Sequence, residues 1–565
     1  MSDRTSRLRE GLRRIGSPDT RGADVRAGLT LGVESVPDGL AGGLLAGVNP
    51  AFGLYAYLVG TFTGALATSS VFMTVQATGA MAVIVADVPS VHVGPDADTA
   101  LFTLSVLTGL VMLTLGILGL GTLVRFVPHA VLTGFMNAVA VNIVLGQLAN
   151  LTGYVSLGAN RVVRAVDTAL HPQFFDWPTV AIGVLTIALI LLLERTRIGS
   201  LGLVAAVVIA SALAVVVPLA SVATLSDLAA IPGSLPHPTV PAPGLVVALL
   251  IPALSLALVG LVQGAAISNS LPNPDGRYPD ASGDFRGQGI ANIASGLFQG
   301  MPVGGSMSAT ALAVGAGART RLANLVAAVV MAVLILAFGG VLGYIAMPAL
   351  AGLLILVGVR SFKLENIRMV WKTGPTQATT MVTTFLLTLI IPLQFAVLVG
   401  VGLSIILYVA QQSNKVLVTR WVFPADGGPP EETAVPGDLP GHEIVVLQSY
   451  GSLFFAAAPV FESQLPRVTA ESTGSVVILR LRGKQELGST FITVVHRYAD
   501  ELAAVGCRLL LAGVGPSVAD QLAATDAKDR LGPEHVFLST PRVTESVQAA
   551  LAAAENWRSS PPASS

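Results

Sequence analysis

Ser306, Ser308 and Thr310 follow Gly304-Gly305 and Met301-Pro302-Val303 in the middle of a strongly hydrophobic chain. Hydroxyls at that spacing are helix-capping residues, and a helix that starts there presents unpaired N–H groups and its positive dipole end to whatever lies ahead. That is the outline of an anion site. Gly and Pro break the hydrogen-bond ladder, and bare backbone is tolerated at membrane depth only where protein buries it or it lines a watery cavity. A glycine-rich surface loop between two spans is the simpler alternative. Against it, Thr74-Val75-Gln76-Ala77-Thr78-Gly79-Ala80 repeats the pattern in the first half, again followed by a brief apolar run. Paired short, interrupted hydrophobic segments point to a transporter site between inverted repeats.

Two carboxylates add a second kind of chemistry. Glu34 and Asp38 flank Pro37 inside the first apolar region, and share a face if the helix continues through the proline. Ionisable groups within a span are costly and by default functional. Two carboxylates one turn apart repel when both are charged, which suits a proton-coupling pair. The alternative places Glu34 hydrated at the cytoplasmic entry and Asp38 on the broken backbone at Pro37.

The elements that must position these residues are membrane helices. The chain has 565 residues, 53% hydrophobic and 12% charged, with mean hydropathy +0.73, against about 25% charged in a soluble protein. The net charge of −1 and the scattered basic clusters give no sign of nucleic-acid binding. One cysteine, Cys507, excludes an intramolecular disulfide framework and fits a reducing compartment. Residues 1–26 are arginine-rich without an apolar core and small-residue cleavage site, so they read as a basic cytoplasmic lead-in rather than a signal peptide.

Clear spans are Leu101–Leu120, Val131–Leu151, Val180–Leu193, Leu201–Val217, Val246–Ile267, Leu322–Ile345 and Met381–Val409, the last long enough for two helices turning at Pro392. Leu29–Val48, Val71–Val85 and Ile290–Val314 are interrupted by Gly or Pro, and Leu350–Val357 is too brief to cross alone. Lys/Arg clusters alternate with the bare loops Val88–Asp98 and Ser221–Pro238, which puts the clusters and both termini on the cytoplasmic side. The loop with Arg161 and Arg164 breaks that pattern. Domain boundaries read as a cytoplasmic segment 1–23, a transporter domain 24–417, a Pro/Gly/acidic linker 418–441, a soluble α/β domain 442–556 and a tail 557–565.

At this point the chain resembles the sulfate permease (SulP) family of anion transporters over nearly its whole length. The resemblance rests on Asp24-Val25-Arg26-Ala27-Gly28-Leu29-Thr30 leading to Val36-Pro37-Asp38, on Asn49-Pro50-Ala51-Phe52-Gly53-Leu54-Tyr55, and on Val127-Pro128-His129-Ala130-Val131-Leu132-Thr133-Gly134-Phe135. Further on it is carried by Gly287-Gln288-Gly289-Ile290-Ala291-Asn292-Ile293-Ala294-Ser295-Gly296 and Gly317-Ala318-Arg319-Thr320. It implies a polytopic α-helical fold of 14 segments in two inverted seven-segment repeats, with core and gate domains, elevator-like movement, homodimers and a cytoplasmic C-terminal STAS domain.

Carried over by position, the resemblance implies a substrate site from Asp38, from Gln76, Ala77, Thr78 and Gly79, from Gln263, and from Gly305, Ser306, Ser308, Ala309 and Thr310. Cation-coupled members often carry an acid where Gln263 stands, and many members carry Arg where Ala309 stands. The anion would then lean on helix dipoles, backbone N–H groups and the hydroxyls of Ser308 and Thr310. In the STAS region, Ile444–Leu447, Val476–Leu481 and Arg508–Ala512 read as strands and Phe491–Ala504 as a helix. The family's Asp-Ser-x-Gly phosphorylation signature is replaced by Gly488-Ser489-Thr490-Phe491, which leaves Ser489 as a helix cap.

The expected function is secondary active transport of a small anion (sulfate, bicarbonate or dicarboxylate) across the plasma (inner) membrane, with Asp38, and Glu34 beside it, as proton-coupling groups. An exchanger without cation coupling and a nucleobase permease of the same architecture are the alternatives. A membrane receptor signalling through the STAS domain is a further one, disfavoured by the paired broken segments. No metal-ligand cluster, phosphate-binding loop or nucleophile triad appears, so neither an enzyme, a metal nor a cofactor is expected.

Overall fold

Each long apolar run becomes a helix, and the Gly- and Pro-rich interruptions separate helices or shorten them. The computed structural model describes residues 18–121, 128–217, 219, 221–229, 231, 233–424, 428–525 and 530–559, in two compact units, 1–404 and 405–565. Most of the basic lead-in (1–17), Arg125, Val127 and residues 560–565 lie outside the described residues.

The first seven membrane segments are α1 (Pro18–Ala46), α2 (Pro50–Ala67), α3 (Gly79–Ala86), α4 (Ala97–Ile117), α5 (His129–Gly146), α6 (Trp177–Leu193) and α7 (Gly202–Val216). The second seven are α8 (Val246–Ser270), α9 (Ala281–Leu297), α10 (Met307–Gly315), α11 (Leu322–Leu342), α12 (Met347–Ser361), α13 (Pro375–Ile390) and α14 (Leu393–Ser413). The third of each set, α3 and α10, has 8 and 9 residues, under half of the ~20 that a crossing needs. Each is preceded by a three-residue strand, β1 (Thr74–Gln76) and β2 (Gly304–Ser306).

Packing divides the segments into two groups. α4 lies along α9, α1 along α2 and α11, and α8 against α4, while α5 packs on α12 and α13, and α6 on α7 and α12. The helix α1 runs unbroken through Pro37, although the sequence reads as interrupted there. Close approach explains why. Gly28 and Gly32 let α11 come so near that an added Cβ would lie 2.5 Å from the Ala323 carbonyl and 2.7 Å from Val330 Cβ. Gly39 and Gly43 do the same for α2, so neighbours hold the helix where the proline removes one hydrogen bond. The short run Leu350–Val357 is the centre of the 15-residue α12, extended by Met347-Pro348 and by residues up to Ser361. The Met381–Val409 stretch does divide at Ile391-Pro392, between α13 and α14.

The second unit is a six-stranded sheet of order β4-β3-β5-β6-β7-β8. Its strands are β3 (Leu417–Val422), β4 (Glu431–Thr433), β5 (Ile444–Tyr450), β6 (Val476–Arg480), β7 (Arg508–Val514) and β8 (Val536–Leu538). β5, β6, β7 and β8 are parallel and β3 runs antiparallel to β5. The helix α15 (Ser489–Ala504) covers one face through Phe491, Val495 and Leu502, and α16 (Glu545–Ser559) covers the other through Val547 and Ala550. Residues 418–441, read from composition as a linker, carry most of β3 and all of β4, because main-chain pairing with β5 decides that segment rather than its Pro/Gly content. Ser489 does not cap α15. It is the first helical residue and is exposed, Gly488 holds the cap position, and no side chain caps the helix.

Candidate anion site

The two interrupted segments meet. β1 and β2 pair antiparallel, Thr74 opposite Ser306, Val75 opposite Gly305 and Gln76 opposite Gly304. α3 leaves this ribbon toward the far end of α1, where His92 ring nitrogens lie 3.2 and 3.3 Å from the Gly47 and Val85 carbonyl oxygens. α10 leaves it toward the start of α1, where the N–H groups of Arg319 and Thr320 donate to Asp24 at 2.6 and 2.9 Å. The half-helices therefore start together and diverge to opposite faces of the unit. Their first-turn N–H groups have no intrahelical acceptors, so two positive dipole ends converge on one place.

Side chains cap both starts. Thr78 Oγ1 accepts from Met81 N at 3.4 Å, and Ser306 Oγ accepts from Ala309 N at 3.3 Å. Gln263, on α8, reaches both halves: its Oε1 accepts from Thr78 Oγ1 at 3.0 Å and lies 3.5 Å from where a Cβ on Gly304 would stand. Gln288 Oε1 accepts from Gly305 N at 3.0 Å, and Asn292 exchanges hydrogen bonds with Val303, donating to its O at 2.6 Å and accepting from its N at 2.8 Å. Asn324 accepts from Thr74 Oγ1 at 2.8 Å and donates to Met73 O at 3.2 Å. These amides satisfy ribbon groups that would otherwise be stranded in a low-dielectric interior.

The expected site residues fall into distinct positions. Ser308 is exposed and lies 3.3 Å, Oγ to Oγ, from Ser306. Thr310 is fully buried, its hydroxyl accepting from Thr74 N at 3.0 Å and donating to Ser306 O at 2.6 Å. Ala309 is buried in an apolar cluster with Ala27, Leu31 and Ala313, so that position contributes no cation. Gln76 is buried, its Nε2 donating to Ser35 Oγ at 2.9 Å, and Ala77 is buried beside it. Gly79 opens α3 against Ile143, whose Cδ1 would stand 2.8 Å from an added Cβ.

Ser35 and Gly42 of α1 both face the ribbon, Ser35 through Gln76 and Gly42 through its approach to the Ala77 carbonyl. Asp38 lies between them on the same helical stripe. Its carboxylate is half-buried and has no hydrogen-bond partner among the described residues. Tyr57 of α2 is buried within electrostatic range of it and of Glu34. Glu34 points to the α6–α7 junction, near Ser200 and Glu194; its Oε2 is buried without a partner among the described residues. Glu194 itself holds Arg360 in a two-pronged pair at 2.9 and 2.5 Å.

Residues 22–384 match the sulfate permease family and residues 439–543 the STAS domain. The chain belongs to the sulfate permease family. It is 27% identical over 536 residues to a probable sulfate transporter of Mycobacterium tuberculosis, covering 92% of this chain and 94% of that one. It is also 27% identical to the bicarbonate transporter BicA of Picosynechococcus, over 69% of this chain and 70% of the relative. In fold it is similar to murine solute carrier 26 member A9 in the inward-facing state, with TM-score 0.81 at 18% identity over 96% of this chain and 92% of that one. The transmembrane domain of BicA superimposes with TM-score 0.55 at 22% identity, over 69% of this chain and 98% of the other. Membership makes the protein a membrane transporter with a STAS domain, not an enzyme.

Reading the sequence for site residues misses Ser35, Tyr57, Gln288, Asn292 and Asn324. A signal for two of them was present. Gln288 and Asn292 are amides one helical turn apart on a segment that carries the sulfate permease resemblance, and such a pair inside a span must find partners.

Proposed function

We propose that this sulfate permease carries a small oxyanion, sulfate or bicarbonate or a dicarboxylate, bound where the half-helices α3 and α10 begin. The observation that carries this reading is the head-on meeting of two helix starts, with exposed Ser308 on one side and Thr78 with Gln263 on the other. The site holds donors and dipoles with no cationic side chain among its members, so it favours negative charge over a particular shape. The names of the mycobacterial and cyanobacterial relatives, a sulfate and a bicarbonate transporter, support this substrate class.

Asp38 is the proposed proton carrier. A half-buried carboxylate without a partner, beside the place where an anion binds, is a group whose proton lowers the electrostatic cost of loading. Glu34, held at the α6–α7 junction, lies where it can pass protons toward Asp38. Alternating access would run by an elevator-like shift of the group containing α1, α3, α8 and α10 against the group containing α5, α6, α7 and α12. The membrane is the plasma (inner) membrane, with the STAS domain and both termini cytoplasmic, and the assembly is a homodimer.

The test is uptake of labelled sulfate, bicarbonate and fumarate into proteoliposomes with a proton gradient, a sodium gradient or neither. Accumulation driven by protons alone is expected. Uptake that needs only an anion on the opposite side would make the protein an exchanger and Asp38 structural, and uptake of none of the three would reject the anion reading.

A further inference from the structure

Arg161 and Arg164 break the charge bias of the loops, and their surroundings give them a use. Arg161 opens a helix, Arg161–Leu170, that follows α5. Its Nη2 lies 2.8 Å from Asp87 Oδ1 and 3.4 Å from the Val83 carbonyl oxygen. Asp87 is the C-terminal cap residue of α3, and the two side chains are only 13% and 17% exposed. The ion pair thus ties the far end of one half-helix to a segment that packs with α5, in the other helical group.

Beside the pair is a cavity of about 310 Å³ at the face where α1, α3 and α5 end, lined by Arg161, Arg164, His92 and Ser156 with the small residues Gly47 and Gly146. Among the described residues its lining holds basic side chains and no carboxylate. Leu45 separates it from the half-helix start. An added Cβ on Gly146 would lie 3.8 Å from Leu45 Cδ1 and 3.8 Å from Arg161 Nε, while one on Gly79 would lie 3.9 Å from Leu45 Cδ2. Leu45 and Ile143, 6% and 3% exposed, form an apolar plug between the basic cavity and the first residue of α3.

We infer that this cavity is the outer antechamber for the transported anion and that Arg161–Asp87 is the latch on its gate, an inference that rests on the anion reading of the ribbon. With the latch closed, Asp87 neutralises Arg161 and the plug holds. When α3 moves away from α5 the pair separates, Leu45 leaves Ile143, and the freed guanidinium offers a fork of N–H donors to an incoming oxyanion. Arg164 supplies charge to the antechamber in both states. The two arginines on the otherwise unbasic side are there for the substrate, not for topology.

The test uses sided labelling of Thr78→Cys and Ser308→Cys with a membrane-impermeant maleimide, on right-side-out and inside-out vesicles, with Cys507 left in place because it is buried. Asp87→Asn and Arg161→Gln should each raise labelling of Thr78→Cys from the outer face about fivefold or more and lower that of Ser308→Cys from the inner face, as expected for a shifted two-state equilibrium. The swap Asp87→Arg with Arg161→Asp should return both toward the parent. Unchanged labelling in both single variants would overturn the latch. So would a rise at both positions, which means a loosened protein. Arg164→Gln should raise the KM for uptake with kcat and labelling unchanged, and an unaltered KM would overturn the antechamber. Labelling is blind to which anion is carried, so failure of the ribbon as an anion site would appear separately, as Thr78→Cys that no anion protects.

Discussion

The Thr310 hydroxyl takes the Thr74 N–H at 3.0 Å and gives its own proton to the Ser306 carbonyl at 2.6 Å, pinning β1 to the start of α10. Thr310→Val keeps the shape and leaves a buried N–H without an acceptor, a cost of about 1–3 kcal/mol. A lower melting temperature in detergent is expected, with transport falling alongside it and Thr310→Ser restoring both. An unchanged melting temperature would mean that the ribbon is held elsewhere.

Ser308 should behave in the opposite way. Its hydroxyl is exposed at the helix start and touches the ribbon only through the Ser306 side chain, Oγ to Oγ at 3.3 Å. Ser308→Ala is expected to leave the melting temperature unaltered and raise the KM for the anion about tenfold or more, consistent with loss of one hydrogen bond to a charged ligand at about 1.5–3 kcal/mol. Uptake kinetics and thermal shift on the same preparation check the contrast with Thr310.

Gln263→Glu preserves the acceptor for Thr78 Oγ1, now 3.0 Å away, and adds a negative charge beside both helix starts. At about 4 Å and an effective dielectric near 20, two like charges cost about 4 kcal/mol. Anion affinity should fall at least tenfold in the absence of added cation. Recovery of uptake by sodium would indicate that a carboxylate here builds a cation site; affinity unchanged without cation would move the anion away from Gln263.

Asp38→Asn removes the unpartnered carboxylate with little change of volume. Uptake driven by a proton gradient should lose its pH dependence, while equilibrium exchange of labelled anion persists. Retained pH dependence would transfer the coupling role to Glu34, which Glu34→Gln would then test.

Cys507 sits under the STAS sheet, its thiol near the Ser472 carbonyl at 2.8 Å. Burial pushes the thiol above its ordinary range, and hydrogen bonds from the Ser475 and Gly474 backbone oppose this in part. The folded state therefore keeps a proton that the unfolded chain releases near pH ~8.5, so this contribution to stability is full below that pH and declines as pH rises through it toward the folded value. Maleimide at pH 8 should modify Cys507 far more slowly in the native protein than in denaturant, and rapid native labelling would show the core to be open.

The chain's own pattern made much of this legible. Hydropathy alone marks α4, α5, α8 and α11 as spans, because a run near twenty apolar residues has no other stable home. The hydroxyls from Ser306 to Thr310 likewise mark a helix start, since hydroxyls ahead of a short apolar run are local chemistry, but that Ser306 and Thr78 are the caps is seen only in the structure. The break at Pro392 follows in the same way, from a proline placed mid-run. Continuity of α1 through Pro37 does not, for it depends on α2 and α11 approaching Gly28, Gly32, Gly39 and Gly43.

What only the tertiary structure decides is which groups are free. Sequence cannot distinguish the exposed hydroxyl of Ser308 from the spent one of Thr310, two residues away. Nor does it show that Asp87 closes on Arg161 across 2.8 Å. Helices are written by neighbours three and four positions apart, whereas hydrogen-bond satisfaction is settled by residues such as Gln288 and Asn324, which reach the ribbon from segments far along the chain.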